Sequence, residues 1–568
     1  MKRFVTLLFC VLVLSVTAQN TVLYIPDTLT GPNYSLTMHE DSVQFFPGLV
    51  SHTYGYNSNK YLGPTLIFNR GTAINITVNN QIQDTTTVHW HGIHVPANYD
   101  GGPHSEILPS ATWNPQFTVL DNAATYWYHP HPDMKTAQQA IKGAAGLIIV
   151  RDSLESSLAL PRRYGIDDFP IIVQCQQYDF LNQAMPRGMQ DSTLLVNGAK
   201  SNNGDTVVGN FPAQIVRMRL LNASGERSFN FGFSANKQFY QIASDGGLLD
   251  APFATTRVQL APGERAELLL DLNGMQGQTI SLKSYASELA MGIQGGPTMP
   301  MPPGFPPMDS PLNGIDFDVM QIKVGPPTAN AINSVPLNLV NNNPYSELLA
   351  NVTRTIRFTA DSLMVMDGPF YFNDSAFNMM RIDYEIPLNS IEIWKLVNET
   401  MVAHPFHLHD VEFFILDRNG NVPLMNELGR KDVVLVPPGD SLRFIVKFTD
   451  FADSLVPYMF HCHILMHEDD GMMGQFLVLP NAVGVSEVKN NTSNCLLFPN
   501  PTNDFFRVKL NNGELIQQLV LFDLLGIKCL ELNGSEFEKV DISELSPGQY
   551  FLQIKTRDTI YYKKINKL

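Results

Sequence analysis

The chain has 568 residues, enough for three or four domains, and 44% of them are hydrophobic, which is typical of a soluble globular protein. Its formal net charge is −16, and the acidic residues are spread along the sequence, which argues against a nucleic-acid partner. With only five cysteines, the chain is not a disulfide scaffold.

Residues 1–18 have the pattern of a secretory signal peptide. Lys2 and Arg3 give a charged start, an apolar run follows over 4–14, and Val16-Thr17-Ala18 is a small-residue cleavage site. The apolar run is too short to span a membrane, and no other stretch reaches spanning length. The sequence therefore predicts an exported protein without a transmembrane segment.

The body of the chain has the pattern of an all-β protein. Short runs of alternating apolar and polar residues, such as 73–78 and 215–220, are separated by Gly, Pro and Asn, and helical periodicity is scarce. We predict three consecutive β-sandwich domains, at 21–150, 161–324 and 335–480. A repeated unit is indicated by similar passages, of which Leu260-Ala261-Pro262-Gly263-Glu264-Arg265 and Val436-Pro437-Pro438-Gly439-Asp440-Ser441 form one pair.

Histidines cluster in four short segments along this body. Ten of the 14 histidines lie in His89-Trp90-His91, His129-Pro130-His131, His404-Pro405-Phe406-His407-Leu408-His409 and His461-Cys462-His463 with His467. A single buried histidine is usually a core residue, but four clusters with a spacing of two residues indicate metal ligands. In a strand, this spacing places both imidazoles on the same face.

Cys462 stands between two of these histidines. Thiolate, imidazole and a weak axial thioether are the ligands of an electron-transferring blue-copper site. Because neighbouring side chains of a strand point to opposite faces, Cys462 can bind one metal while His461 and His463 bind a second site. The covalent link between them predicts a redox enzyme.

These four segments resemble the four copper motifs of the multicopper oxidases, a family that includes laccases, bilirubin oxidases, spore-coat oxidases and bacterial cuprous oxidases. The passages Asp100-Gly101-Gly102-Pro103 and His467-Glu468-Asp469-Asp470-Gly471-Met472-Met473 are similar to those of the bacterial three-domain enzymes. The resemblance covers 24–480 and implies cupredoxin-type Greek-key sandwiches. The middle domain has no candidate ligand and is interpreted as a spacer, so the first and third domains would meet at the cluster.

The resemblance also implies four copper ions with defined ligands. The type 1 copper would be held by His404, Cys462, His467 and axial Met472. The type 2 copper would be held by His89 and His407. The type 3 pair would be held by His91, His129 and His463 on one ion, and by His131, His409 and His461 on the other.

Two carboxylates match positions that lie near the trinuclear cluster in similar enzymes. Asp100 and Glu468 would relay protons to dioxygen, because its reduction to two waters takes four electrons and four protons. Alternatively, they orient the ligating imidazoles, and the two roles are compatible.

The electron donor is left open by the sequence. The Pro- and Met-rich loop at 295–311 carries Met299, Met301 and Met308, and thioethers suit Cu(I). However, cuprous oxidases of this family place Asp and Met just ahead of the third motif, where this chain has Glu399-Thr400-Met401-Val402-Ala403. We therefore expect laccase-like oxidation of phenols or aromatic amines, with oxidation of Cu(I) or another metal ion as the alternative. A non-catalytic copper-binding surface scaffold is a more remote alternative.

The C-terminal region differs in character from the rest. A polar, Asn-rich linker at 486–494 precedes a segment, 495–568, that resembles the C-terminal sorting domain of proteins exported by the type IX secretion system. The resemblance implies a small β-sandwich, an interaction with the secretion machinery, and a secreted or cell-surface protein. A disulfide between Cys495 and Cys529 is left open. For the mature protein we expect a monomer.

Overall fold

The computed structural model describes residues 19–188, 190–202, 204–298, 310–362, 365–480, 495–511, 514–523, 527–534, 537, 539–557 and 560–568. The predicted signal peptide, the predicted linker, and Met299, Met301 and Met308 lie outside these residues. The chain forms two compact units, Met1–Asn481 and Ala482–Leu568. Among the described residues, no helix has the length and apolar character needed to cross a membrane.

The first strand of the chain, β1 (Gln19–Val22), does not join the sheets of the first predicted domain. It pairs in parallel with a strand of the middle one, Gln19 opposite Asp205 and Val22 opposite Val208. The first described strand thus belongs to the middle sandwich although it precedes the first in the sequence, which the local sequence did not indicate.

The first sandwich contains ten strands: β2 (Thr28–Thr30), β3 (Asn33–Val43), β4 (Ser51–Tyr56), β5 (Thr65–Asn69), β6 (Ala73–Asn80), β7 (His89–His91), β8 (Thr112–Trp113), β9 (Gln116–Thr118), β10 (Thr125–His129) and β11 (Gly146–Arg151). One sheet has the order β2-β5-β11-β10-β7, and the other has the order β4-β3-β6-β8 with β9 also on β6. Ile74, Ile76 and Val78 of β6 alternate into a shared core, as the sequence pattern predicted. Strand β7 lies at a sheet edge.

The middle sandwich contains β12 (Asp168–Tyr178), β13 (Ala184–Met185), β14 (Thr193–Val196), β15 (Ala199–Lys200), β16 (Asp205–Pro212), β17 (Ile215–Asn222), β18 (Phe229–Phe233), β19 (Phe239–Ser244), β20 (Gly247–Thr255), β21 (Val258–Leu260), β22 (Arg265–Asp271), β23 (Thr279–Ser284) and β24 (Phe317–Gly325). Its sheets have the orders β1-β16-β24-β23-β18-β21 and β15-β14-β12-β17-β22-β19-β20, with β13 on β12. Apolar residues of both sheets form one core.

The third sandwich contains β25 (Val352–Ala360), β26 (Phe370–Phe372), β27 (Tyr384–Pro387), β28 (Ile391–Asn398), β29 (His404–Leu408), β30 (Phe413–Arg418), β31 (Val433–Val436), β32 (Ser441–Lys447), β33 (Asp453–Cys462) and β34 (Met473–Leu479). The sheet orders are β26-β25-β28-β32-β30 and β27-β34-β33-β29-β31. Strands β29 and β33 are antiparallel neighbours, with Phe406 opposite Cys462 and His407 opposite His461. This register places histidine opposite histidine on one face, while Cys462 faces the core.

Helices are few and short in the described residues: α1 (Thr136–Ala140), α2 (Ser153–Ser157) and α3 (Leu465–Asp469), with 3₁₀ turns at Ala97–Tyr99, Ser234–Asn236, Ala286–Glu288, Glu347–Leu349 and Met425–Glu427. The predicted all-β class is therefore confirmed. Helix α3 matters for the site because it carries His467 and Glu468.

The second unit is a small sandwich with its own core. Its strands are β35 (Cys495–Phe498), β36 (Phe505–Leu510), β37 (Gln518–Phe522), β38 (Lys528–Asn533), β39 (Val540–Asp541), β40 (Gly548–Lys555) and β41 (Ile560–Lys567), in the sheet orders β35-β36-β39 and β38-β37-β40-β41. Cys495 and Cys529 are both free, so the bridge left open by the sequence is not formed in this structure.

Candidate metal centre

Four histidine-bearing strands bring the predicted ligands together. Strands β7 and β10 of the first sandwich pair so that His89 lies opposite His129, and β29 and β33 of the third pair so that His407 lies opposite His461. All ten predicted histidines are buried, with exposed fractions of 4% or less. The structure therefore gathers into one region residues that lie more than 300 positions apart in the sequence.

His404, Cys462 and His467 form one compact group. The Cys462 Sγ lies 3.6 Å from Nδ1 of His404 and 3.6 Å from Nδ1 of His467, and the two Nδ1 atoms are 3.3 Å apart. Phe370 packs against both imidazoles, with ring centroids 4.7 and 4.5 Å away. Met472 is buried in the same core, and its carbonyl accepts a hydrogen bond from the Cys462 N–H. The group offers one sulfur and two nitrogen ligands in an apolar surrounding.

Thr400 holds one of these imidazoles in place, a role that the sequence did not reveal. Its Oγ1 lies 2.9 Å from Nε2 of His404 and is also bonded to Asn398 Oδ1 at 2.8 Å. A hydrogen bond on Nε2 leaves Nδ1 of His404 to face Cys462, which fixes which nitrogen can bind a metal. In the sequence, only the spacing of four residues between Thr400 and His404 hints at this contact.

The remaining eight histidines form a second, larger cluster. Nε2 of His461 lies 3.2 Å from Nε2 of His409, and these two form a possible metal-binding group with His131. On the other side, Nδ1 of His91 lies 3.3 Å from Nε2 of His129 and 3.2 Å from Nε2 of His463. Each group of three corresponds to one set predicted for a type 3 ion.

His89 and His407 share a different arrangement. Nδ1 of His89 donates to the Asp100 carbonyl at 2.9 Å, and Nδ1 of His407 donates to the Asp432 carbonyl at 2.8 Å. Their Nε2 atoms, and that of His131, are buried without a hydrogen-bond partner. Buried nitrogens are rarely left unpartnered, so these three atoms are suited to a metal ion.

Asp100 and Glu468, the two predicted catalytic carboxylates, both contact the larger cluster. Oδ2 of Asp100 accepts a hydrogen bond from Nδ1 of His409 at 2.8 Å. Glu468 lies between two imidazoles, with Oε1 at 3.2 Å from Nδ1 of His131 and Oε2 at 3.1 Å from Nδ1 of His461. Both carboxylates are thus placed to orient ligands and to exchange protons at the cluster.

The sequence reasoning also missed Asp432. Its Oδ1 lies 3.2 Å from Nε2 of His91, and its carboxylate is held by the guanidinium of Arg265 from the middle sandwich. In the sequence, Arg265 lies in one of two similar passages that indicate only a repeated unit. No local pattern connects it with a residue 167 positions away.

Burial sets the protonation of the ligands. It lowers the pKa of the His404 and His407 imidazoles well below their ordinary value, and it raises the pKa of the Cys462 thiol. For His467, burial together with the positive charge of Arg187 lowers the pKa to about 3. Neutral imidazoles are ready to bind a metal, whereas the buried thiolate needs a cation beside it.

The donor set fits copper. One thiolate with two imidazoles suits an electron-transferring copper site, and imidazoles alone suit further copper ions. Cys462 joins the two sets covalently, because it follows His461 and precedes His463 in the chain. The arrangement can pass electrons from the first group to the second.

The surface near His467 is the accessible side of the smaller group. His467 has an exposed fraction of 4%, whereas His404 and Cys462 have 0%. Nearby, the Arg187 guanidinium bonds to Asp470 Oδ2 at 2.6 Å and to the Asp367 carbonyl at 2.7 Å. An electron donor would therefore approach through His467.

Three family models described as "Multicopper oxidase" match residues 37–155, 172–286 and 350–482, and one described as "Secretion system C-terminal sorting domain" matches 496–567. "Multicopper oxidase mco" of Staphylococcus haemolyticus is 32% identical over 455 residues, which cover 78% of this chain and 88% of that protein. "Cell division protein FtsP" of Sodalis glossinidius is 31% identical, covering 79% of this chain and 90% of that protein.

Solved structures give the same match. A bacterial laccase-like multi-copper oxidase CueO from Ochrobactrum sp., with oxidase activity towards lignin model compounds and lignosulfonate, aligns with a TM-score of 0.70 and 30% sequence identity. The alignment covers 80% of this chain and all of that one. The similarity in fold therefore extends over nearly all of the first unit.

Proposed function

Because the chain belongs to the multicopper oxidase family, and is thus a copper-dependent oxidoreductase, we propose that it couples four one-electron oxidations of a donor to the reduction of O2 to water. The observation that carries this proposal is Cys462, which lies in the smaller group while its neighbours His461 and His463 lie in the larger one. A protein that only stored copper would not need this link.

We assign four copper ions to the two groups. His404, Cys462 and His467, with Met472 as the axial ligand, would hold the type 1 ion. His89 and His407, whose Nε2 atoms are both unpartnered, would hold the type 2 ion. The type 3 pair would be held by His91, His129 and His463, and by His131, His409 and His461.

Bound copper supplies one-electron redox chemistry and a place for dioxygen. The side chains of the protein determine which groups lie between the electron donor and the larger cluster. With copper held by the smaller group, His467 would be the ligand nearest the donor, and the backbone between Cys462 and its two neighbours would connect that group to the larger cluster. Phe370 keeps water away from the smaller group, which limits the reorganisation that accompanies each transfer.

Protons reach the cluster through carboxylates. Glu468 contacts His131 and His461, and Asp100 contacts His409, so both lie beside the space in which dioxygen would be reduced. We propose that they deliver protons and also hold these imidazoles in the ligating tautomer.

For the donor, we propose phenols or aromatic amines. The Asp and Met that similar cuprous oxidases place just ahead of the third motif are absent here, where Thr400 bonds to His404 and Glu399 pairs with Arg357 at 3.2 Å. One observation favours the alternative, a Cu(I) donor. The Ala403 N–H donates to the Gly292 carbonyl at 2.7 Å, which places exposed Met291 near exposed Met401.

Oxygen uptake by copper-loaded protein tests both donors. We expect a phenol and an aromatic diamine to support faster uptake than Cu(I). Replacement of Met299, Met301 and Met308 together by Ser should leave the three rates almost unchanged. Met401→Leu, made as a separate variant, should also leave them almost unchanged. A selective loss of Cu(I) oxidation in either variant would make copper detoxification the better account. Absence of uptake with every donor would favour a non-catalytic scaffold.

Met472→Leu is expected to keep the blue colour and to raise the reduction potential of the type 1 site. An axial thioether is a weak ligand that stabilises Cu(II), so its loss favours Cu(I) without releasing the metal. A redox titration followed at the blue absorption band measures this shift. Met473→Leu, at the neighbouring buried position, is the matched control and should leave the potential unchanged. Loss of the blue copper from Met472→Leu would contradict the assignment.

The C-terminal sorting domain indicates where the oxidase acts in or outside the cell. The match to a secretion-system sorting domain supports export by the type IX route, to the cell surface or the medium. We propose that the oxidase acts there as a monomer, where oxygen and external donors are available. Deletion of 495–568 should leave the oxidase inside the cell envelope, as fractionation of cells expressing both forms would measure.

A further inference from the structure

The middle sandwich contributes a buried arginine to the edge of the larger copper cluster. Arg265, the first residue of β22, has an exposed fraction of 1%. All five of its N–H groups are used. Nε donates to the Thr125 carbonyl, Nη1 to the Gly263 carbonyl and Asp432 Oδ1, and Nη2 to the Asp245 carbonyl and Asp432 Oδ2.

These partners lie in all three sandwiches. Thr125 belongs to β10 of the first, Asp245 and Gly263 belong to the middle one, and Asp432 directly precedes β31 of the third. The planar guanidinium fits the Asp432 carboxylate with two parallel hydrogen bonds, a geometry that lysine cannot reproduce. Arg265 therefore fixes the position of Asp432 relative to the first sandwich.

Asp432 in turn contacts a predicted copper ligand. Its Oδ1 lies 3.2 Å from Nε2 of His91, and its carbonyl accepts a hydrogen bond from Nδ1 of His407 at 2.8 Å. A carboxylate beside Nε2 keeps the proton of the neutral imidazole on that nitrogen. Nδ1 of His91 is then unprotonated where it faces His129 and His463.

The local backbone of the first sandwich is shaped to admit this pair. Gly92 follows His91 and has a φ of +84°. A Cβ at that position would lie 2.3 Å from Asp432 Oδ2 and 2.8 Å from Arg265 Nη2. The carboxylate and the guanidinium therefore approach the end of β7 through space that only glycine leaves open.

We propose that Arg265 is a positioning residue of the trinuclear copper site, acting through Asp432 on the tautomer and orientation of His91. The proposal rests on the copper assignment made above. It gives the middle sandwich, which carries none of the assigned ligands, a specific part in holding the metal. The sequence had suggested only a spacer.

Copper binding by Arg265→Lys and Asp432→Asn tests the proposal. Arg265→Lys keeps the positive charge but cannot form the two parallel hydrogen bonds to Asp432. Asp432→Asn keeps the side-chain size but replaces one carboxylate oxygen by an amide nitrogen. We expect both to bind the copper ions of the larger cluster about 10–100-fold more weakly, as is usual when a residue that supports a metal ligand is replaced. The blue absorption of the smaller site should persist. Titration against a competing chelator measures the copper bound per chain, and the blue absorbance measures the smaller site alone.

Arg217→Lys is the matched control. Arg217 is an equally buried arginine of the adjacent strand β17, bonded to Glu155 and Glu267, and it contacts no assigned ligand. This variant should bind copper like the wild type. Equal losses in Arg217→Lys and Arg265→Lys would indicate a general folding defect and overturn the proposal.

The remaining outcomes separate this inference from the assignment on which it rests. Wild-type copper binding in folded Arg265→Lys would overturn the role of Arg265 alone, whatever Asp432→Asn shows. A wild-type protein that takes up only the blue copper would overturn the assignment of the trinuclear site and this role together. If Arg265→Lys does not fold, wild-type copper binding by Asp432→Asn would still overturn the proposal, because Arg265 is proposed to act through Asp432.

Discussion

Cys462→Ser is expected to remove the blue colour and all oxidase activity while the three copper ions that we assign to the larger cluster stay bound. The strong absorption near ~600 nm arises from charge transfer between a thiolate and Cu(II), which a serine hydroxyl cannot provide. The larger cluster should survive, because His461 faces His407 across the strand pair while Cys462 faces the core. Absorbance, copper content and oxygen uptake of the loaded variant measure the three effects.

Cys175→Ser provides the matched control for this result. Cys175 is also a buried free cysteine, but it lies in the middle sandwich and belongs to neither ligand group. Its replacement should leave colour, copper content and turnover close to those of the wild type. A Cys462→Ser protein that remained blue would contradict the assignment of the type 1 site, and one that lost all copper would contradict the independence of the two groups.

The clustering of the candidate ligands could be predicted from the sequence because each pair is encoded locally. A spacing of two residues in a strand puts both imidazoles on one face, so His89-Trp90-His91 and His461-Cys462-His463 needed no knowledge of the fold. The strand bounds agree, since β7 consists of His89–His91. The convergence of the first and third sandwiches followed from the number of ligands that a multicopper cluster requires.

Residues that support the ligands could not be predicted in the same way. Arg265 reaches Asp432 across 167 positions, and Asp432 reaches His91 across 341. Such contacts depend on how sandwiches pack against one another, which no local spacing encodes. The pairing of β1 with β16 is a similar case, because an edge strand can extend any sheet that offers free N–H and C=O groups.

The copper-free protein is expected to lose folding free energy as the pH falls from 5.5 to 4.5. Burial lowers the pKa of eight ligand imidazoles, those of His91, His129, His131, His404, His407, His409, His463 and His467. In the unfolded chain, histidine has a pKa near ~6.5. As the pH falls through that value, the unfolded state takes up protons that the native state does not, so the native state loses stability.

Buried carboxyl groups oppose this effect, and they include Glu264 and Asp432, whose pKa is raised by burial. Burial raises the pKa of Asp121 and Asp410 to about 6, of Glu226 and Glu412 to about 7, and of Asp469 to about 8. Between pH 5.5 and 4.5, the native state holds protons on these groups that the unfolded state only begins to bind. In the same range the unfolded state carries a proton on nearly all eight imidazoles, so the imidazoles dominate. His94 is protonated in both states, because the Asp410 carboxylate outweighs the effect of burial and raises its pKa to about 10.

Urea unfolding of the copper-free protein at the two pH values measures this loss. Copper-loaded protein should start from a higher stability, because bound metal adds its binding free energy to that of the native state, and it should lose more, because the copper-bound Cys462 thiolate takes up a proton on unfolding. Asp469→Asn removes one opposing carboxyl group and should increase the loss by about 1 kcal/mol. Its amide oxygen can still accept one of the hydrogen bonds from Thr136 and Ala137. A copper-free stability that did not change with pH would show that the ligand imidazoles become protonated within the native fold, which would contradict the buried, neutral cluster on which the copper assignment depends.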